Sequence, residues 1–546
     1  MFKLFPDDLK KEFNGYNRRK FSQDLIAGLS VAAVALPLSL AFGVSSGADA
    51  AAGLITAIIA GLFIGAIGSA SYQISGPTGA MSAILITLSA NYGIEGVFIA
   101  GMLSGIILIV AALVHAGQIV SIIPSAVITG FTSGIAIIIG VGQFDNFFGI
   151  QSSKKSIIAQ FTSYVQDGFS PNWEAMAAGL IVILVMLIWP KKLQSKLPAA
   201  LAGIITVLIV DVFVGFNIVT VGTIPKTLLH DQRLTLTALD FHKLEKLFVP
   251  AISIAALGMI QTLLCGAAAG KLKGKKLNAD HELLAQGIGN VFIPFFGGVP
   301  ATAAIARTIV GIKNGGQTRI TSIVHSVTLI ACIFLLGPVI SRIPLAGLAG
   351  VLMVTAWRMN DWKGIKEFFR RRYKTSISQF IATMVATVVF DLTTAIIIGV
   401  TLSMVLFVMR SSYLEISVDN IDKNHAKGKN LTDNASGIKL VYVSGQIFFG
   451  SQDRIISCIH SLSDARSIVL SIRGVPSIDQ SAMGELRDLW EEYKARGVDI
   501  LFCGLQPQVL KMFERSGFLK VLGEKNVYQH AVEAIDSLSN IQKKSG

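Results

Sequence analysis

Ser75-Gly76-Pro77-Thr78-Gly79-Ala80 interrupts an apolar chain where an unbroken helix would otherwise run, and Gly297-Gly298-Val299-Pro300-Ala301-Thr302-Ala303-Ala304 does the same in its second half. Glycine and proline stop a helix because one gains too much freedom when unfolded and the other lacks an N–H. In lipid such a break survives only where it lines a cavity or is buried in protein. Two breaks at matching places of an apolar chain are therefore the mark of a membrane protein made of two related halves, with a site between them.

The flanking sequence supports this. The chain has 546 residues, 52% hydrophobic and 15% charged, and a mean hydropathy of +0.62; that composition excludes a string of soluble domains. A spanning helix needs about 20 apolar residues. Between Phe21 and Arg410 fourteen candidate segments can be placed, several of them short or broken by Gly and Pro. The clearest run over 21–43, 50–69, 96–115, 119–142, 173–189, 197–215, 248–268, 318–337 and 376–410, the last holding two spans. Less clean are 283–297 and 343–357, and the helices after Pro77 and Pro300 are too short to span. With seven spans in each half, the third segments run in opposite directions, as an inverted repeat requires (about 21–215 and 248–410).

Charge tests the count independently. Residues 1–410 hold 31 Lys and Arg against 18 Asp and Glu, whereas the tail holds 16 of each, so the whole net charge of +13 lies in the apolar part. With the N-terminus inside, 23 basic residues fall in inner loops and seven in outer ones, leaving Arg307 within the membrane. This bias places both termini in the cytoplasm and the chain in the cell (inner) membrane. The basic residues alternate with spans and do not cluster on a soluble face, which excludes nucleic acid as a partner. The basic stretch 1–20 has no small-residue cleavage site, so it is expected to stay on as a cytoplasmic segment.

Domains are accordingly expected at 1–20, 21–410 and 411–546. In the tail, Ile438–Val443, Ser467–Ile472 and Val498–Cys503 read as strands and Ser481–Arg496 and 507–516 as helices, giving a small α/β domain. The polar stretch Asp419–Gly437 reads as a loop. Cys265, Cys332, Cys458 and Cys503 have no paired spacing, and no metal or cofactor site is legible. No nucleophile, base and orienting group stand together and no nucleotide-binding glycine loop is present, so no catalytic residue is assigned and enzymatic function has no support.

A half-helix that starts in mid-membrane leaves amide donors unpaired and carries roughly half a positive charge at that end. Two such ends facing one another make an anion site. Pro77 and Pro300 are read as first-turn residues. The same features occur in kinked helices that bind nothing; their recurrence at corresponding positions favours a site. Arg307, read as about one and a half turns into the second short helix, either faces that site or pairs elsewhere, Asp391 being the candidate. Gln261 is a mid-membrane amide that either contacts substrate or bonds a neighbouring helix. Asp211, His115 and His325 read as structural.

Together with Gln286-Gly287-Ile288-Gly289-Asn290 and Phe295-Phe296-Gly297-Gly298, and with Pro300 through Thr308, the two breaks resemble the sulfate permease (SulP) family, relatives of pendrin and prestin. The resemblance covers about residues 20–530, and the tail is similar to a STAS domain through Pro476-Ser477-Ile478-Asp479-Gln480-Ser481. It implies a polytopic helical protein of core and gate domains, elevator-like alternating access, a homodimer in membrane lipids, and a small inorganic or carboxylate anion held between the third and tenth helices. Carried over residue by residue, the site comprises Phe42, Thr78, Gly79, Gln261, Ala301, Thr302 and Arg307. Gln261 stands where sodium- or proton-coupled relatives have a carboxylate, and a neutral amide cannot titrate, which counts against coupling to either ion at that position. Ser481 matches a phosphorylated position of free-standing STAS proteins, although Gln480 replaces a neighbouring hydroxyl; a helix start capped by Asp479 is the simpler reading. Sulfate, bicarbonate and four-carbon dicarboxylates all fit. A nucleobase permease lacks its carboxylates here, and a membrane-bound sensor would need no cavity.

Overall fold

The computed structural model describes residues 4–118, 124–150, 152, 157–166, 168–190, 193–194, 197–235, 237, 240–390, 392–420 and 437–545. Two compact units emerge, Met1–Val400 and Thr401–Gly546.

The first unit is helical, and each of the fourteen segments appears. They are α1 (Arg18–Ser45), α2 (Ala50–Ile67), the continuous stretch Gly79–Leu113 that breaks at Gly93 into α3 (79–92) and α4 (94–113), α5 (Ser125–Gly142), α6 (Trp173–Ile188) and α7 (Ala199–Val214). The second half gives α8 (Phe241–Lys273), α9 (Ala279–Phe292), α10 (Ile305–Lys313), α11 (Ile320–Ile340), α12 (Leu345–Met359), α13 (Lys374–Val389) and α14 (Leu392–Ser411), whose residues from Thr401 on fall in the second unit. Six helices among the described residues are long and apolar enough to cross a bilayer. Helices α1–α4 pack with α8–α11, and α5–α7 with α12–α14.

Lipid offers no hydrophobic drive for one helix to leave it for another, so close packing of small residues does the work. At the crossing of α4 and α9, a Cβ on Gly105 would stand 2.7 Å from the Gly287 carbonyl, and one on Gly287 would stand 2.7 Å from the Gly105 carbonyl. Neither position has room for alanine. This approach sets α9 against the rest of the core, with consequences for both broken segments.

On the side of the N-terminus, the helix Leu4–Phe13 is fixed by Glu12, whose carboxylate accepts from the Arg319 backbone N–H at 2.7 Å and from Nη2 at 2.7 Å. Asp24, fully buried, accepts from Tyr16, the Thr318 amide and hydroxyl, and Thr321. Two carboxylates thus close the connector between α10 and α11.

The second unit has a five-stranded sheet in the order β3 (Glu415–Asn420), β4 (Ile438–Ser444), β5 (Ser467–Gly474), β6 (Asp499–Cys503), β7 (Val527–Tyr528). Only β3 runs antiparallel to its neighbour. Alternation along the strands sends Val441, Leu470 and Phe502 to one face and Leu440, Val469 and Leu501 to the other. The first face is covered by α15 (Gln452–His460), α16 (Gln480–Ala495) and α17 (Pro507–Arg515), the second by α18 (Ala531–Ser545). Sequence reading had three of the strands; β3 and β7, at the edges, carry too little apolar alternation to stand out. Of the loop expected over Asp419–Gly437, Asp419 and Asn420 instead end β3, paired with Leu440 and Lys439, and 421–436 lie outside the described residues.

Candidate functional site

Each broken segment ends in a two-residue strand, and the two strands pair with each other. β1 (Ser75–Gly76) lies antiparallel to β2 (Thr302–Ala303), with Ser75 opposite Ala303 and Gly76 opposite Thr302. The ladder continues through the Ala304 amide, which donates to the Ile74 carbonyl at 2.8 Å, and the Ile74 amide, which donates to the Thr308 hydroxyl at 3.0 Å. Non-helical backbone within the helical unit has therefore found its hydrogen bonds in its counterpart from the other half of the chain. The antiparallel sense is the one an inverted repeat produces.

Three side chains of α9 complete the arrangement. Glu282, Gln286 and Asn290 recur every fourth residue and so share one face. Glu282 accepts from the Ala70 amide at 2.9 Å and from Gln73 at 2.9 Å, holding the approach to the first break. Gln286 and Asn290 donate to the Ala301 carbonyl at 2.7 and 3.0 Å, and Asn290 accepts from the Ala301 amide at 2.7 Å. All three are buried. In the sequence Gln286 and Asn290 stand out only as part of the stretch Gln286-Gly287-Ile288-Gly289-Asn290, and Glu282 carries no mark of its own. Their i, i+4, i+8 spacing along one face of a helix whose other ionisable residues, Asp280 and His281, stand at its start is the signal the sequence offers.

The two prolines sit differently from the sequence expectation. α3 begins at Gly79 with Thr78 as its cap, so Pro77 precedes the cap and is not in the first turn. α10 begins at Ile305 after Ala304, and Pro300 lies before the strand. Pairing between the breaks outweighs the helix-starting tendency of proline, because an unpaired backbone in lipid is the larger cost. As a result Thr302 is outside the helix, and Arg307 is its third residue, within the first turn.

At the open side of the ladder, Thr78 and Thr302 both donate their hydroxyls to the same oxygen, Oε1 of Gln261, each at 3.2 Å. Thr78, Thr302 and Gln261 thus meet at one point between the two half-helix starts. Thr78 and Gln261 are partly exposed, and in the first turn of α10 Ile305 is 48% exposed. The amides of Gly79, Ala80, Ile305, Ala306 and Arg307 donate to no protein acceptor among the described residues.

Gly79 is wedged in place: a Cβ there would stand 2.5 Å from Ile139 of α5 and 3.1 Å from the ring of Phe42. Phe42 and Gly79 are therefore in contact, at the end of α3 that carries Thr78. A cavity of about 60 Å³ lies further along the same helix, lined among others by Ser82, Ile139 and Gln160. Ala301, by contrast, has its amide and carbonyl committed to Gln286 and Asn290.

Arg307 lies behind the ladder. Its guanidinium is buried, with Nη2 donating to the Ser39 hydroxyl at 3.1 Å and the Pro77 carbonyl at 3.3 Å. Nη1 lies against Gly76, where a Cβ would stand 2.4 Å from it, and it has no hydrogen-bond partner. No carboxylate is paired with Arg307 among the described residues; Asp391, the partner expected from the sequence, lies outside them. The arrangement thus combines two helix starts, two hydroxyls, an amide and one uncompensated cation. In the tail, Asp479 caps α16 by accepting from the Ala482 amide at 2.8 Å and also accepts from the Phe449 amide at 3.0 Å, while Ser481 is exposed.

Residues 21–386 match the sulfate permease family and residues 431–534 the STAS domain. The chain is 34% identical to the Bacillus subtilis (strain 168) protein YvdB, provisionally named a sulfate transporter, over 95% of this chain and 98% of that one. It is 29% identical to the bicarbonate transporter BicA of Synechocystis sp. (strain ATCC 27184 / PCC 6803 / Kazusa), over 96% and 95% respectively. The murine solute carrier 26 family member A9 anion transporter, solved in the inward-facing state, has the same fold with a TM-score of 0.85 at 16% identity, covering 99% of this chain and 94% of its own.

Proposed function

Since the chain belongs to the sulfate permease family and is one of its anion transporters, we propose that it is a secondary transporter that holds a small anion of the sulfate type between the starts of α3 and α10 and carries it by elevator-like alternating access. The observation that carries this reading is the junction at Gln261, where hydroxyls from both halves share one acceptor. An arriving oxyanion can take those two hydroxyls as donors, releasing the amide, and can accept from the unpaired amides of the two first turns. Arg307 acts through the ladder: it adds a full positive charge to roughly half a charge from each helix end, and in a low-dielectric setting its field reaches the anion without contact. Phe42 and Gly79 form the apolar wall, and Ala301 shapes the backbone.

Bicarbonate is the alternative that the 29% identity to BicA favours, with four-carbon dicarboxylates next in the same chemistry. Because Gln261 cannot titrate, coupling to a proton or sodium ion would have to run through another group. The excess of basic residues in alternate loops supports cytoplasmic termini, and the family supports a homodimer in the cell membrane.

The test is uptake into liposomes of labelled sulfate, bicarbonate, succinate and uracil, with and without a sodium or pH gradient. Uptake of one of the anions and not of uracil is expected. Uracil uptake, or no uptake of any anion, would overturn the proposal.

A further inference from the structure

Between α12 and α13 the helix Trp362–Arg370 has no buried residue. Its sequence, Trp-Lys-Gly-Ile-Lys-Glu-Phe-Phe-Arg, puts Trp362, Ile365, Phe368 and Phe369 on one face and Lys363, Lys366, Glu367 and Arg370 on the other. A helix this short does not persist alone in water. One flank of the apolar face packs on α13, with the Phe368 and Phe369 rings 6.5 and 6.3 Å from that of Phe380. The remainder is open: Trp362 is 46% and Phe369 48% exposed. Trp357, near the end of α12, stacks on Trp362 at 4.5 Å and accepts the Trp362 Nε1–H at its carbonyl, 2.9 Å away. Indoles at the end of a spanning helix belong at the level of lipid headgroups.

From Arg358 to Lys374 there are seven basic residues and two acidic ones. Arg358 donates to the Met186 carbonyl and Arg371 pairs with Glu367. Lys363, Lys366, Arg370, Arg372 and Lys374 are exposed, and none forms an ion pair among the described residues. Arg372 also stands at φ +52, a left-handed conformation that glycine adopts without strain. A costly residue at a helix stop, adding charge where charge is already dense, points to a use for that charge.

We propose that this loop is a binding site for anionic phospholipid headgroups in the leaflet on the side of the N-terminus. The side follows from parity, because an even number of spans precedes the loop. Apolar side chains and free cations side by side fit an amphiphile; a soluble anion would need only the cations. The acyl chains cover Trp362 and Phe369, and the phosphate is held by Lys363, Lys366, Arg370 and Arg372.

The full chain would be placed in nanodiscs of phosphatidylcholine with a minority of phosphatidylglycerol, extracted gently, and its retained lipids counted by native mass spectrometry. Wild type is expected to keep phosphatidylglycerol selectively, and K363Q/K366Q/R370Q to keep at least about tenfold less. Arg372→Gly should lower retention by about fivefold while leaving the unfolding temperature unchanged or higher, which separates the charge from the fold. A control on the opposite side, Lys226→Gln in the loop before α8 with Lys246→Gln near the start of α8, should retain lipid as wild type does. Equal retention by the triple variant and wild type would overturn the proposal, as would loss of the lipid to inorganic phosphate but not to chloride at matched ionic strength.

Discussion

Arg307 donates its Nη2 to the carbonyl of Pro77, 3.3 Å away, so that the cation of one half of the chain is spent on the break in the other half. The same nitrogen donates to Ser39 at 3.1 Å. Hydrogen bonds to a charged group contribute about 1.5–3 kcal/mol each, and a lysine ammonium, a compact point charge on a flexible stem, lacks the rigid planar fork that here sets one nitrogen against both acceptors. Arg307→Ala is therefore expected to reduce anion uptake at least about tenfold, and Arg307→Lys to fall between it and wild type, because the charge survives but the double contact does not. Initial rates in proteoliposomes check this. Wild-type rates in the alanine variant would remove Arg307 from the site.

Gln261 gives the sharpest chemical test, because a single atom exchange alters its charge and little else. Gln261→Glu keeps an oxygen for Thr78 and Thr302 but adds a negative charge beside the proposed anion. Uptake is expected to fall at least about tenfold at neutral pH, since like charges at such distances cost several kcal/mol in low dielectric, and to recover as the pH falls and the carboxyl protonates. Gln261→Leu should be impaired at every pH. A Gln261→Glu variant with the pH profile of wild type would place the anion elsewhere.

The spans, the two breaks and the tail domain were legible because each rests on local signals: apolar length, proline and glycine, and alternation in strands. The join between the breaks was not. Nothing local in Ser75-Gly76 or Thr302-Ala303 marks a strand; their conformation comes from pairing with a partner far away in sequence. The same holds for Arg307, whose type and depth could be read but not whether it faces the opening or the packed side. Glu282 does not stand out because, with Asp280 in the same first turn, a carboxylate near a helix start also reads as a favourable surface charge at the positive end of the helix.

On the face opposite the N-terminus, His230 and Asp49 provide a pH dependence of known sign. His230 Nε2 and Asp49 Oδ2 are 2.8 Å apart, and the His230 amide donates to the Phe296 carbonyl at 3.1 Å, so the pair ties the α7–α8 loop to the start of α2. The hydrogen bond to Asp49 raises the imidazole above its ordinary 6.5; burial works against the Asp49 carboxylate, but the bond from His230 prevails and holds it below 3.8. A raised histidine contributes stability that is complete below its ordinary pKa and is lost as the pH rises through its folded value. A lowered aspartate contributes above its ordinary pKa and loses that contribution as the pH falls through its folded value. Stability from this pair is thus greatest between the two and declines on the alkaline side of the raised imidazole. His230→Phe should remove that alkaline decline from the unfolding temperature measured in nanodiscs; identical slopes in both proteins would show that the pair is not the cause.

Glu12 and Arg319 pose a different question, whether the segment before the first span is part of the fold. Their side chains are 5% and 6% exposed, Arg319 Nε donates to Glu12 at 2.9 Å, and Nη1 of the same guanidinium donates to the Ala66 carbonyl at the end of α2. A buried pair of this kind contributes little net stability when replaced as a whole, because desolvation offsets the attraction. Removing one partner is another matter: it takes from the buried guanidinium the carboxylate that receives two of its donors, a loss of up to about 3–5 kcal/mol. Glu12→Ala should consequently lower the unfolding temperature by several degrees, and Glu12→Gln, which still accepts one hydrogen bond but loses the charge, by less. Glu12→Ala with Arg319→Met should recover part of the loss, since the orphan charge is gone. If the double variant is no more stable than Glu12→Ala alone, the cost lies in lost packing of Leu4–Phe13 and not in the ion pair.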